Sequence, residues 1–120
     1  MNAELKELYS RTVDLRAYVP ERADFFGVWV TAIVGTQGEA GGDAFEILIC
    51  SPEWLKKECR MHHVILGRHK LITDHFDAEN IYHCVKNLVE SIEGESWEEI
   101  SKKMARIGAW EFEDYNATAR

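Results

Sequence analysis

The sequence predicts an α+β fold: a mostly antiparallel sheet with two or three helices packed on one face. Three observations predict it. Two β-branched and aromatic stretches, "FFGVWVTAIVG" and "AFEILIC", flank a glycine-rich segment, as the arms of a long hairpin do. Helical apolar patterns follow at 81–92 and 97–107. The hairpin comes first and the helices after it, without regular alternation.

The elements follow in order. "AELKELYS" reads as a first strand, although Leu5 and Leu8 are spaced equally well for a helix. Residues 11–24, with Pro20, read as an irregular crossing. "FFGVWVTAIVG" is apolar on both parities, so it is expected to be central and covered, at least in part, on both faces. "GTQGEAGGDA", with glycines at 35, 38, 41 and 42, is turn chemistry joining it to "AFEILIC". In "SPEWLKKEC", Ser51 is an N-cap, Pro52 sits at N1, and Trp54, Leu55 and Cys59 anchor a short helix. "VIL" and "KLITDHF" read as a strand region broken at Gly67-Arg68-His69. Asp77 caps a long helix whose stripe is Ile81, Cys84, Val85, Leu88, Val89 and Ile92, with Gly94 as its C′ residue. Ser96 and Glu99 form a capping box for a helix that Gly108 ends. "AWEFEDY" reads as the last strand, and all four tryptophans are expected to be substantially buried.

With 120 residues and 46% hydrophobic content, residues 1–120 read as one domain with a core of its own. No apolar run reaches the roughly 20 residues that span a bilayer, and "MNAELKELYS" lacks a signal-peptide core, so the expected location is the cytoplasm. Cys50, Cys59 and Cys84 are odd in number and widely spaced, which suits reduced and mostly buried thiols. The net charge of −7 disfavours a direct nucleic-acid surface. Residues 90–114 hold eight acids against three bases, so most of the excess sits in the last quarter of the chain.

Catalytic patterns are weak. The glycine-rich loop lacks G-K-[ST] and carries Glu39 and Asp43, which repel phosphate. The five histidines show no H-x₃-H or H-E-x-x-H spacing, so no metal or other cofactor is expected. Cys50 and Cys84 sit in apolar phases that suit inert thiols. Glu111 and Glu113 lie two apart, as an acid and a base or two ligands can, but no third ligand or cleft is evident. The chain is therefore not expected to be an enzyme, and no catalytic residue is assigned. The alternative kept open is a small hydrolase or metal-dependent enzyme using Glu111, Glu113 and nearby histidines.

The surface carries more. Glu98–Lys102 and Glu99–Lys103 are i,i+4 pairs, and Glu90 can pair with Lys86. Glu93, Glu95, Glu111, Glu113 and Asp114 have no such local partner. Bordered by Tyr115, they would form an acidic patch suited to docking a basic protein. A solvated strand with edge-protecting charges accounts for the same residues.

Several blocks, "FGVWV", "GxxGxxGGDAF", "CSPEWL", "GRHKLI", "FDAENI", "GESWEEI" and "RIGAWEFEDY", occur in an order that resembles the immunity 8 family. These are small α+β proteins of bacterial polymorphic-toxin and contact-dependent inhibition systems. The similarity runs from about Phe26 to Tyr115. It implies a non-enzymatic protein that binds and neutralises a cognate toxin domain in the cytoplasm of the producing cell. Toxins of such systems are often nucleases with basic faces, and an acidic inhibitor can occupy such a face. On that reading Glu93, Glu95, Glu111, Glu113, Asp114 and Tyr115 are the candidate toxin-binding residues. The resemblance supplies no catalytic residues, and shared Trp97, Gly108 and Trp110 can equally be scaffold. An acidic adaptor for an unrelated basic protein is the other alternative.

Overall fold

The structure, a computed structural model, describes residues 1–112. Its strands are β1 (Ala3–Tyr9), β2 (Gly27–Thr36), β3 (Asp43–Cys50), β4 (Lys70–Ile72) and β5 (Ala109–Trp110). Its helices are α1 (Pro52–His62), α2 (Ala78–Glu90) and α3 (Trp97–Met104). β1, β2 and β3 form an antiparallel meander. β2 fills one edge of β3, so β4 and β5 share the other. β5 pairs antiparallel at Phe45 and Glu46, and β4 pairs parallel at Leu48–Cys50. The sheet is thus mostly antiparallel in an α+β fold. The parallel pair exists because α1 carries the chain back before β4 begins.

The core lies on one face. Val28, Val30, Ala32 and Val34 of β2 meet Phe45, Ile47 and Ile49 of β3, as a two-residue period requires. Ile81, Val85 and Val89 of α2, with Ile100 and Met104 of α3, cover them. In β1 the register shifts between Leu5 and Glu7, so Lys6 is an extra residue. This bulge switches parity and lets Ala3, Leu5 and Leu8 all face the core. The helix-like Leu5–Leu8 spacing is therefore the mark of a bulged strand.

The caps are local chemistry that the sequence states directly. Ser51, Asp77 and Ser96 each accept from backbone N–H groups in the first turn of the helix that follows. Each such cap contributes about 1 kcal/mol.

Several expectations need correction. Trp29 is 49% exposed, because α1 covers only the end of the opposite face. There Trp54 lies over Gly27, where a Cβ would stand 2.4 Å from its ring. Cys59 and Cys84 are exposed, and only Cys50 is buried. α1 buries no residue, so Cys59 anchors nothing. On α2 the buried line is Ile81, Val85 and Val89, and Cys84 falls on its solvent flank. Gly94 is not the C′ residue of α2, whose C-cap is Ser91. It permits close approach instead, since a Cβ there would stand 3.1 Å from Ile100. "VIL" at 64–66 is not a strand, and β5 stops at Trp110.

Candidate functional site

Glu93, Glu95 and Glu111 lie at one end of the sheet. β1 begins there, β2 turns into β3 there, and the α2–α3 turn closes over it. Ala3 N–H donates to Ile92 O at 3.0 Å, Gly94 N–H to Met1 O at 3.0 Å and Gln37 N–H to Asn2 O at 2.8 Å. These bonds bring residues 1–3, 37 and 92–94 together.

Asp43, the first residue of β3, organises this end. Its Oδ2 accepts from the indole N–H of Trp97 and of Trp110, each at 3.1 Å. The first residue of α3 and the last of β5 are thus tied to one carboxylate oxygen. Trp110 also stacks on Phe45, with centroids 6.2 Å apart, and meets Phe112 edge-on. Glu95 lies two residues before one indole, and Glu111 directly follows the other.

The candidate carboxylates differ in what they do. Glu111 extends the β5 pairing: its N–H donates to Ala44 O at 3.1 Å, and its Oε1 accepts from Ala44 N–H at 2.8 Å. Glu99 Oε2 accepts from Glu95 N–H at 3.1 Å, one residue earlier than a capping box requires. That bond, then Lys103, holds the Glu99 carboxyl below the usual glutamate value, against some desolvation. Glu98 pairs with Lys102 at 3.1 Å and Glu99 with Lys103 at 3.4 Å. Glu93 and Glu95 are exposed and have no ion pair among the described residues. Glu113, Asp114 and Tyr115 lie outside the described residues.

Among the described residues, no three His, Cys, Asp or Glu side chains come together as metal ligands. His69 Nε2 lies 2.7 Å from Ala105 O and His62 lies 3.6 Å from Glu58. Burial pushes the Cys50 thiol up, against the nearby Lys70. Two grooves flank Phe76 and Asp77 at the start of α2, and Glu111 lines neither.

The sequence offers residues 56–70 as an alternative contact segment, along with 36–44, but not the apolar character of its surface. Val64 is 88% exposed and Leu66 76%, both between α1 and β4, and Met61, in the last turn of α1, is 59% exposed. The signal was present as an apolar run bracketed by Arg60 and Arg68, but a strand reading hid it.

The fold and both surfaces are those of a small α+β protein. The Immunity protein 8 family model matches residues 3–115, nearly the whole chain. The chain belongs to the Immunity protein 8 family, and a toxin protein is the partner that this membership implies. Comparison with curated proteins found no match, and comparison with solved structures found none either. No helix among the described residues is long and apolar enough to cross a membrane.

Proposed function

We propose that this chain neutralises a cognate toxin domain by binding it, without chemistry of its own, in the cytoplasm of the producing bacterium. The acidic end steers a basic toxin face toward it. One observation carries this reading: Glu93 and Glu95 stand exposed and without an ion pair among the described residues, beside two neighbours that are paired. A paired carboxylate is largely neutralised at a distance. An unpaired one contributes to the long-range field that raises encounter rates. A nuclease toxin presents the complementary charge, because its substrate is a phosphate backbone.

The test is kinetic. Glu93→Lys with Glu95→Lys should slow association with the cognate toxin domain by about tenfold or more at low salt. The defect should fade near 1 M salt, where the Debye length is about 3 Å. Association at the unaltered rate in low salt would remove these residues from the docking site. Glu111 is the wrong residue to reverse, since its carboxylate also holds the Ala44 N–H.

A further inference from the structure

We propose that the connector between α1 and β4 is the apolar anchor that holds the toxin domain, with Val64 and Leu66 entering an apolar recess rimmed by carboxylates. This rests on the toxin-binding reading above and names a second contact for the same partner.

Single exposed apolar side chains are ordinary, but a cluster of large ones marks an interaction surface. Met61, Val64 and Leu66 fall within six residues and are 59%, 88% and 76% exposed. The backbone presents them by an unusual route. His63 has φ 63 and ψ −63, and Val64 N–H donates to His62 O at 2.7 Å. This is a γ-turn with positive φ, a strained form for a residue with a side chain.

The loop is also fastened at its far side. Lys70 Nζ donates to Leu66 O at 2.8 Å, and the His69 ring lies 2.7 Å from Ala105 O. A fastened loop loses less entropy on binding than a free one.

Charge identifies the occupant. Residues 56–70 carry five bases and one acid in a chain of net charge −7. Arg60, next to Met61, has no ion pair among the described residues. The complementary surface is apolar at its centre and acidic at its rim, the usual anatomy of a protein interface.

Position ties this surface to the acidic end. α3 starts beside Glu95 and ends at Ala105, whose carbonyl meets His69. At about 1.5 Å per residue the eight residues of α3 put about 12 Å between its two ends. On this proposal a single toxin domain makes both contacts, steered by the acids and held by the apolar anchor.

The experiment measures binding kinetics of the full chain against its inactivated cognate toxin domain. Val64→Asp with Leu66→Asp should speed dissociation by about a hundredfold, and Arg60→Glu by about tenfold, with association changed by less than about threefold. The Glu93/Glu95 reversal should show the opposite division between the two rates. Should the aspartates disturb the fold by circular dichroism, Val64→Ser with Leu66→Ser is read instead. Unchanged dissociation in a chain that still binds toxin overturns the anchor and leaves the toxin reading standing. If the double variant instead abolishes self-association seen by sedimentation, a second copy is the occupant and the proposal fails. If the unaltered chain binds no toxin, both readings fall together.

Discussion

At one end of α3 several carboxylates are bound into the fold beside the unpaired Glu93 and Glu95, and at the other Val64 and Leu66 stand in solvent. Near Trp97, Asp43 holds two indoles, Glu111 holds a backbone N–H and Glu99 holds another. Past Ala105, Val64 and Leu66 stand in solvent on a loop fastened through other groups. On the proposed reading the tied side chains are scaffold and the exposed, untied ones are contact. A residue that satisfies buried or half-buried polar groups cannot change without loss of stability. A residue that touches only water can change with the partner.

The sharpest way to break this comparison is at the scaffold end. Trp97→Ala should cost about 3 kcal/mol, the low end for a tryptophan because the ring is only half-buried. The loss combines removed apolar area with an Asp43 oxygen that keeps one of its two donors. Urea unfolding monitored by far-UV circular dichroism measures it, and a cost under about 1 kcal/mol would mean that α3 is not pinned there. Asp43→Ala comes next. It leaves two half-buried indole N–H groups without their acceptor, at about 2 kcal/mol together, less than the roughly 1.5–3 kcal/mol each of a bond to a charged group because water reaches both sites. Asp43→Asn keeps a carbonyl in place and should recover most of that loss.

Which parts were legible follows the same division. Caps and hairpin glycines act within a few residues, so Ser51, Asp77, Ser96 and the 35–42 loop could be read along the chain. The placement of Trp29 could not. Its strand is apolar on both parities, and whether the second parity is buried depends on where α1 lands, a tertiary fact. Cys84 failed for a related reason. A 3.6-residue period leaves the width of a stripe open, and α2 buries only its central line. The acidic residues were visible as a charge excess. Their meeting at one end was not, because it depends on how residues 1–3 pair with 92–94. The connector was hidden because a short apolar run reads as a strand, and a strand implies burial.

At the contact end the expected stability effect is small. Val64→Ser with Leu66→Ser should change unfolding free energy by less than about 0.5 kcal/mol, the range of surface substitutions. The same urea titration measures it. A loss as large as that at Asp43 would mean that these side chains pack against the chain, and the separation of scaffold from contact would fail.

The smallest effect is one of pH, and it tests whether the Glu99 tie exists in solution. The Glu95 N–H and then Lys103 favour the ionised Glu99, so its carboxyl lies below the usual glutamate value in the folded chain. A group depressed on folding binds fewer protons in the folded state than in the unfolded one. Stability from it is therefore present above the unfolded value and is lost as pH falls through the folded one. Glu4, held down chiefly by its bond from Lys6, works in the same direction at the same end of the sheet. Urea midpoints taken between about pH 6 and pH 3 should fall with a slope that Glu99→Gln makes shallower. The glutamine keeps a carbonyl for the Glu95 N–H but cannot titrate. The variant curve should thus lie closest to that of the unaltered chain at the acid limit, where Glu99 is itself protonated. An identical slope in both chains would mean that Glu99 is free in water, and that Asp43 and Glu111 alone hold the scaffold end.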